Sequence, residues 1–239
     1  MKSKSISKNK PFVTAIIAAG GSSSRMNGEN KLLISIGNIP VIAHSLITFQ
    51  NCEAISEIII AAHEMHLEQY TDIAKKYGIT KVTKVVNGGK TRLHSVYNAV
   101  SASSDKSEYI LVHDAARPLV TENDINTVIQ DTINFHCAAA SNKITDTVKK
   151  VSDQKAQSTI DRTDLYTVQT PQGADKSLLF AALQKAIEVS DGTVTDECSA
   201  IEKLSIKPYM SNCSVCNIKI TYPEDVFMAN AIYDRRTKI

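Results

Sequence analysis

Short apolar runs alternate with segments of helical periodicity along the first half of this chain. The apolar runs predict buried strands, because a strand covered on both faces has no polar side to alternate with. We place these strands at residues 13–18, 57–62, 82–86 and 109–113. Apolar residues spaced close to the 3.6-residue period predict helices at residues 40–50, 64–77, 91–102 and 121–135. Strands that alternate with helices predict an α/β fold with a mostly parallel sheet and right-handed crossovers.

The second half of the chain begins with a segment of a different kind, residues 142–163. It is polar and extended in pattern around the turn Ser152-Asp153-Gln154-Lys155, which predicts a β-hairpin arm. A lone two-stranded hairpin is marginal in water, so we expect this arm to lean on another surface, such as a second copy of the chain. The remaining elements are predicted as strands at 138–141, 166–169 and 217–221, and helices at 175–189, from 195 and from 223.

Length and charge narrow the class of protein. The 239 residues, 43% of them hydrophobic, suit one domain over residues 1–239 with a flexible N-terminus at residues 1–11. A net charge of +2 argues against a nucleic-acid partner or an acidic membrane surface, so any electropositive site must be local. No apolar stretch reaches about 18 residues, which argues against a membrane-spanning helix.

Two features bear on the compartment. The start of the chain imitates a signal peptide, but its apolar part is short and a basic loop follows in place of a cleavage site. Five scattered cysteines are typical of reduced thiols, and we expect a cytoplasmic protein. We interpret the C-x-x-C pair of Cys213 and Cys216 as coincidental, because a zinc site needs a second close pair of ligands.

The loop after the first strand, residues 18–31, concentrates glycine, serine and positive charge. Small side chains let successive backbone N–H groups turn inward and line an anion-binding concavity. Arg25 and Lys31 add a forked and a mobile cation at its rim. The spacing excludes a P-loop, which needs G-x-x-x-x-G-K-[ST], and a dinucleotide fingerprint, which needs G-x-G-x-x-G. The combination suits a nucleoside triphosphate, and a solvated surface loop is the alternative on composition alone.

Two further loops follow predicted strands and carry the segments Gly88-Gly89-Lys90 and His113-Asp114-Ala115-Ala116-Arg117-Pro118. Ligands in such folds bind beyond the carboxyl ends of the strands, so we expect the three loops to converge. Asp114 can hold a divalent cation through oxygen, and Arg117 offers a fork to a phosphate. The alternative is an Asp114–Arg117 ion pair across a tight turn. We expect His113 to pack within its strand.

Seven motifs follow one another along the chain: Ala18-Ala19-Gly20 with Arg25-Met26 and Lys31, His113 to Pro118, Thr145-Asp146-Thr147, Asp161-Arg162, Gln169-Thr170-Pro171-Gln172, Thr195-Asp196-Glu197 and Asn217-Ile218-Lys219. Taken in this order, they resemble the 2-C-methyl-D-erythritol 4-phosphate cytidylyltransferase family over roughly residues 13–233. The resemblance implies a Rossmann-like nucleotidyltransferase fold, a dimerisation arm, a magnesium requirement and a place in non-mevalonate isoprenoid synthesis.

The resemblance also implies roles for single residues. Arg25, Lys31 and Lys219 resemble the catalytic cations that stabilise the reacting phosphates of CTP. The nucleotide pocket would comprise Ala18, Ala19, Gly20, Gly89, Ser95 and Asp114, with Asp114 also beside the magnesium. The contacts to methylerythritol phosphate would come from Arg117, Thr147, Arg162, Thr170 and Thr195, with Thr147 and Arg162 offered by the partner subunit of a homodimer.

The implied reaction is in-line attack by the phosphate of 2-C-methyl-D-erythritol 4-phosphate on the α-phosphorus of CTP, with release of pyrophosphate. The nucleophile is already anionic, so neither a general base nor a covalent intermediate is required. The protein must supply alignment, and positive charge where negative charge accumulates.

The chain departs from the family pattern in three places. Its Gly/Ser loop is longer and richer in serine, Asn30 replaces the usual proline before Lys31, and Gly173 stands where a larger apolar residue is common. These departures question the stiffness of the loop but remove no charged group.

Three other functions are weighed against this one. A ribitol 5-phosphate cytidylyltransferase is the nearest, although that family tends to have Ser-Val in place of Ala115-Ala116. An NAD-linked oxidoreductase is suggested by Tyr77 and Lys81, but Gly78 interrupts the helix that would align them and the glycine fingerprint is missing. A non-catalytic nucleotide-binding module would bind CTP without releasing pyrophosphate.

Overall fold

A seven-stranded sheet runs through the computed structural model, which describes residues 10–21, 26, 29–189 and 192–238. In spatial order its strands are Tyr209–Asn212 (β11), Cys137–Lys143 (β7), Tyr166–Asp175 (β10), Tyr109–Asp114 (β6), Val13–Ala19 (β1), Glu57–Ala62 (β4) and Val82–Asn87 (β5). Neighbouring strands are parallel except at β10, which runs antiparallel to both β6 and β7. The predicted α/β fold with a mostly parallel sheet is therefore confirmed.

The α-helices of the described residues connect these strands and cover both faces of the sheet. They are Val41–Asn51 (α1), Leu67–Lys76 (α2), Arg92–Ala102 (α3), Glu122–Phe135 (α4), Lys176–Val189 (α5), Glu197–Glu202 (α6) and Pro223–Thr237 (α7). Thr121 and Asp196 start α4 and α6 with capping boxes, and Pro223 begins α7. The helix predicted at 64–77 is split into a 3₁₀ turn, Glu64–His66, and α2.

The inner strands are apolar throughout because each one contributes side chains to two hydrophobic cores, one on each face of the sheet. Successive side chains of a strand point to opposite faces of the sheet. Ile17 of β1 and Ile58 of β4 join the core packed against α1 and α2, whereas Ile16 and Ile59 join the core packed against α3 and α5. All of these isoleucines are fully buried. The two-sided burial explains why the sequence shows continuous apolar runs there instead of alternation.

The predicted arm is a hairpin separate from the main sheet. Val148–Ser152 (β8) and Lys155–Ile160 (β9) pair antiparallel, and most of their residues are exposed. Asp153 and Gln154 have φ values of 48° and 62°, the left-handed geometry that suits a tight hairpin turn. A second small hairpin, Ser35–Ile36 (β2) with Ile39–Pro40 (β3), precedes α1. Among the described helices, none is long and apolar enough to cross the bilayer.

The prediction of a strand at residues 217–221 is wrong. This segment is irregular, and the edge position next to β7 belongs to β11, which the sequence pattern did not reveal. The backbone groups of residues 217–221 make separate hydrogen bonds to different parts of the chain. Ile220 N donates to Ala116 O at 2.8 Å. The side chains of Arg117 and Lys31 donate to the carbonyls of Asn217 and Ile220, respectively. These carbonyls therefore accept hydrogen bonds from charged side chains, and not from a neighbouring strand.

Candidate active site

Two adjoining cavities open where the loops after β1, β5 and β6 converge. The first cavity has a volume of about 300 Å³ and is lined by Ala18, Gly20, Gly21, Lys31, Leu32, Gly89, Lys90, Thr91, Arg92, Ser95, Asp114, Ala116 and Lys219. The second cavity has a volume of about 220 Å³ and is lined by Arg92, Asp114, Arg117, Val168, Gln169, Thr170, Gln172, Thr195, Asp196 and Lys219. Three charged residues, Arg92, Asp114 and Lys219, belong to both. The predicted convergence of strand-end loops is confirmed.

Asp114 is the last residue of β6 and lies where the two cavities meet. Its Oδ1 accepts a hydrogen bond from Arg92 Nε at 3.2 Å, and its Oδ2 accepts one from Lys219 Nζ at 2.6 Å. Burial disfavours the carboxylate, but the charges of Arg92 and Lys219 outweigh it and hold the pKa of Asp114 well below its usual range. The alternative of a simple Asp114–Arg117 pair is therefore wrong, because Arg92 and Lys219 are the direct partners.

Arg92 is a site residue that the sequence analysis missed. Its Nη1 and Nη2 donate to Glu197 Oε1 and Oε2 at 2.7 and 3.0 Å, so the guanidinium bridges Asp114 and Glu197. Burial opposes the charged guanidinium, yet Glu197 and then Asp114 raise the pKa of Arg92. Two features of the sequence indicate this residue. One is an arginine that opens a helix two residues after Gly88-Gly89-Lys90, and the other is Glu197, an acidic residue with no assigned partner.

Lys31 lines the first cavity and contacts the irregular segment of residues 217–221. Its Nζ donates to Ile220 O at 2.9 Å, across 189 residues of sequence. The carbonyl belongs to the irregular segment that also carries Lys219, so the two predicted catalytic lysines lie in one cavity. The third predicted catalytic cation, Arg25, lies outside the described residues, as do residues 22–24, 27 and 28 of the same loop.

Gly88 and Gly89, of which Gly89 belongs to the predicted nucleotide pocket, are packed closely against α3. Gly89 N donates to Ser95 Oγ at 3.0 Å, and Ser95 Oγ donates to Thr91 O at 2.9 Å. A Cβ at Gly88 would lie 2.7 Å from Ser95 Oγ, and one at Gly89 would lie 2.3 Å from His94 Cβ. Only glycine fits this approach.

Not every residue of the predicted pocket reaches the first cavity. Ala18, Gly20, Gly89, Ser95 and Asp114 line it. Ala19 is 2% exposed and packs in the core beneath α1 instead.

The predicted substrate-binding residues divide into two groups. Arg117, Thr170 and Thr195 line the second cavity. Arg117 Nη1 donates to Asn217 O at 2.8 Å, while its buried Nε has no hydrogen-bond partner among the described residues. Thr147 and Arg162 are exposed residues of the arm, next to the ends of β8 and β9, and they line neither cavity of their own chain.

His113 packs beside the site, as expected. It is fully buried against the ring of Phe49, with its ring nitrogens 3.2 Å from Arg117 O and Thr170 Oγ1. Burial lowers the pKa of His113 to about 4. The residue is therefore neutral near pH 7 and shapes the loop that carries Asp114 and Arg117.

The residues present fit a magnesium ion that arrives with a polyphosphate. In the described part of the chain, no group of three histidine, cysteine or acidic side chains is arranged to hold a metal by itself. Mg²⁺ is commonly held by one or two carboxylates together with phosphate oxygens and water. Asp114 is a deprotonated carboxylate in the first cavity, which meets that minimal requirement.

The fold and the paired cavities define a nucleotidyltransferase of the Rossmann-like α/β type. The model of the family described as IspD, 2-C-methyl-D-erythritol 4-phosphate cytidylyltransferase, matches residues 13–235. The chain belongs to this family, and it transfers CMP from CTP to 2-C-methyl-D-erythritol 4-phosphate in isoprenoid biosynthesis.

Individual relatives match this chain over nearly their whole length. The 2-C-methyl-D-erythritol 4-phosphate cytidylyltransferase of Clostridium botulinum is 38% identical over 227 residues, covering 94% of this chain and 98% of the relative. That of Halalkalibacterium halodurans is 36% identical over 220 residues, covering 92% and 96%. The crystal structure of 4-diphosphocytidyl-2C-methyl-D-erythritol synthase from Anaerococcus prevotii superposes with a TM-score of 0.84 at 31% identity, covering 95% of this chain and 97% of that one.

Proposed function

We propose that the two cavities hold the two substrates side by side, with CTP in the first and methylerythritol phosphate in the second. The observation that carries this assignment is the shared wall of Arg92, Asp114 and Lys219 between them. A phosphate seated in the second cavity would face the α-phosphorus of a nucleotide in the first. In-line attack across that wall would form the new P–O bond and release pyrophosphate.

Positive charge around the first cavity would stabilise the transition state. Lys31 and Lys219 line the first cavity and, with Arg25, would stabilise the charge that develops on the phosphate oxygens. Lys219 lies 2.6 Å from Asp114, so its ammonium is held at the junction before substrates arrive. Such preorganisation is what makes a fixed cation effective, because little reorganisation is needed during the reaction.

The pocket walls suggest which side chains recognise each substrate. Ala18, Ala19 and Gly20, together with Gly89 and Ser95, would surround cytosine and ribose, although Ala19 would do so through its backbone only. Arg117 would bind the phosphate of methylerythritol phosphate, since its buried Nε is a donor with no partner among the described residues. Thr170 and Thr195 would donate to the hydroxyl groups or the phosphate.

Magnesium is the cofactor we propose. Asp114 would hold it together with the triphosphate oxygens of CTP. The ion would neutralise phosphate charge and polarise the P–O bonds.

We also propose a homodimer in which the arm of residues 142–163 extends to the partner. The exposed, mostly polar hairpin buries little on its own chain, and Thr147 and Arg162 lie away from its own cavities. Each arm would then complete the second cavity of the other subunit with these two residues.

One nucleotidyltransferase domain over residues 1–239 and a cytoplasmic location complete the proposal. All five cysteines are free thiols, three of them fully or nearly fully buried, as in proteins of reducing compartments. Burial raises the pKa of Cys213 to about 12, which leaves it protonated and poorly reactive.

Substrate choice is tested by pyrophosphate release from CTP and magnesium with a panel of polyol phosphates. We expect rapid release with 2-C-methyl-D-erythritol 4-phosphate, little with ribitol 5-phosphate, and none without a polyol phosphate. Faster turnover of ribitol 5-phosphate would overturn the assignment of the second cavity. CTP binding without pyrophosphate release for any of the polyol phosphates would instead indicate a non-catalytic nucleotide-binding module.

The role of Lys31 is tested by Lys31→Ala. Loss of one preorganised charge should reduce kcat by about a hundredfold or more, with little change in the free energy of unfolding. Lys75→Ala, which removes an exposed lysine on α2, is the matched control and should leave kcat unchanged. Near-normal kcat in Lys31→Ala would remove this residue from the mechanism.

The shared site is tested by mixing two inactive variants, Lys31→Ala and Arg162→Ala. In a mixed dimer one site has an intact Lys31 and receives an intact Arg162 from the other subunit. Random exchange should therefore restore about a quarter of the wild-type sites. Activity that stays at the level of the separate variants, under conditions where subunits demonstrably exchange, would show that each chain uses its own arm.

A further inference from the structure

Asn30, directly before Lys31, makes three hydrogen bonds through its side chain. Its Oδ1 accepts from Leu32 N at 3.0 Å and closes a turn around Lys31. Its Nδ2 lies 3.0 Å from Tyr70 Oη in α2 and 3.3 Å from His66 Nε2 in the preceding 3₁₀ turn, so the amide group has an acceptor for each of its two hydrogens. A side chain with all these bonds is held in one orientation.

The partners of Asn30 are themselves firmly anchored. Tyr70 is 0% exposed and belongs to the core between α2 and the sheet. The His66 ring packs on Tyr70 with centroids 5.5 Å apart, and His66 Nδ1 lies 3.2 Å from Gln69 Oε1. A histidine whose Nδ1 donates to Gln69 presents Nε2 as an acceptor, which matches the donor Nδ2 of Asn30. The 3₁₀ turn and the first turn of α2 therefore hold the side chain of residue 30 in place.

Lys31 lies between two fixed neighbours. Leu32 on its other side is 3% exposed and packs in the core. The lysine backbone is therefore fixed from both directions, and its long side chain lines the first cavity and donates to Ile220 O. A lysine chain has several free torsions, so fixing its base reduces the volume that the ammonium can sample.

We infer that Asn30 is a positioning residue for Lys31, coupling the catalytic ammonium to the buried hydroxyl of Tyr70 through the Asn30 amide. The inference rests on the catalytic role proposed for Lys31. Asn30 does not line either cavity, so it acts through its neighbour and touches no substrate.

The test is a double-mutant cycle of Asn30→Ala and Lys31→Ala, read as kcat and KM for each substrate. We expect Asn30→Ala to lower kcat by about tenfold or more, since small misplacements of a catalytic group are costly. KM for 2-C-methyl-D-erythritol 4-phosphate should stay within about twofold, because the second cavity is untouched. In the Lys31→Ala background, Asn30→Ala should lower kcat no further.

Each outcome of the cycle has one meaning. Equal losses from Asn30→Ala in both backgrounds, or wild-type kcat in Asn30→Ala, would overturn the positioning role. Wild-type kcat in Lys31→Ala would instead overturn the proposed role of Lys31 itself. Asn134→Ala, at an exposed position of α4, is the matched control and should change neither constant.

Tyr70→Phe is the second variant, and it keeps the buried ring while deleting the hydroxyl that Asn30 contacts. It covers the case in which Asn30→Ala fails to fold. We expect a smaller loss of kcat that is likewise absent in the Lys31→Ala background. A Tyr70→Phe enzyme with wild-type kcat, or a loss that persists without Lys31, would overturn the coupling.

Discussion

At the scale of single residues, the site depends on charges that are buried only because they are paired. Asp114 is 8% and Glu197 is 3% exposed, and both carboxylates share the guanidinium of Arg92. Lys219 supplies the second cation on Asp114. Burial of an unpaired charge is costly, so each member depends on the others. The arrangement keeps Asp114 ionised and Lys219 in place between the two cavities.

Arg92→Met is predicted to destabilise the fold by about 3 kcal/mol, because it leaves Glu197 as an unpaired buried carboxylate. Adding Glu197→Gln should recover part of this loss, since the second change removes the stranded charge. Urea unfolding of both single variants and the double variant measures the effect. Lys75→Met, which breaks the exposed pair with Asp72, is the control and should cost less than about 0.5 kcal/mol. Additive losses from Arg92→Met and Glu197→Gln would show that the two side chains are not coupled.

At the scale of elements, β10 carries Thr170, one of the proposed substrate-binding residues, to the second cavity. It enters between β6 and β7, and its pairing with β7 shifts register between Val168 and Gln172. The irregular stretch carries Thr170, whose Oγ1 accepts from Asp114 N at 3.0 Å. Gln172 then accepts from Cys198 N at 2.9 Å and donates to Asp196, which ties α6 and its Thr195 to the same strand.

The same strand explains one departure from the family pattern, Gly173. A Cβ there would lie 2.2 Å from Thr132 Oγ1 on α4 and 3.2 Å from Leu111 Cδ1 on β6. Thr132 is fully buried and donates to Val128 O at 2.7 Å, so its position is fixed. The threonine occupies the space that a larger residue at 173 would need.

Gly173→Ala is therefore predicted to cost roughly 1–3 kcal/mol through overpacking. In a Thr132→Ala background the clash is removed, and the added cost of Gly173→Ala should fall below about 1 kcal/mol. Chemical denaturation of the four proteins of this cycle measures the coupling. Gly21→Ala, where a Cβ would meet nothing within 4 Å, is the control for stability. An undiminished cost in the Thr132→Ala background would rule out Thr132 as the cause.

At the scale of the whole molecule, the stability of the fold is linked to pH through buried groups near the site. Burial lowers the pKa of His113 to about 4, whereas an unfolded histidine titrates near 6.5. Between these values the unfolded chain binds more protons than the folded chain. Stability is therefore fully present above about pH 6.5 and declines as the pH falls towards 4. Asp114, whose pKa is depressed, adds a second loss below about pH 4.

We predict that the free energy of unfolding falls by on the order of 2–3 kcal/mol between about pH 7 and about pH 4.5. His113→Gln should flatten this dependence, although its stability at pH 7 will be lower. His63→Gln, at an exposed position, should keep the wild-type slope. Urea titrations across this range measure it, and an unchanged slope in His113→Gln would assign the pH dependence to other groups.

Much of the fold could be predicted from the sequence because the hydrophobic effect leaves a local record. Strands covered on both faces are apolar throughout, and the run Glu57–Ala62 was predicted with the bounds that the structure has. Helix starts were equally local, as the caps at Thr121 and Asp196 show. β11 escaped prediction because Tyr209–Asn212 carries little apolar pattern. Its place at the edge depends on pairing with β7 and on hydrogen bonds of Ser211.

The sequence by itself determined the alternation of strands and helices, the glycine-rich loops, and the cations Lys31 and Lys219 that lie in the first cavity. Tertiary structure alone decided which charges pair. Arg92 meets Glu197, and Asp114 meets Lys219, each across 105 residues, and no local pattern encodes such a contact. Periodicity reports burial along one element, whereas an ion pair depends on where two elements end in space. The sequence therefore indicated most of the charged residues of the site, whereas only the folded chain showed that Arg92 bridges Asp114 and Glu197.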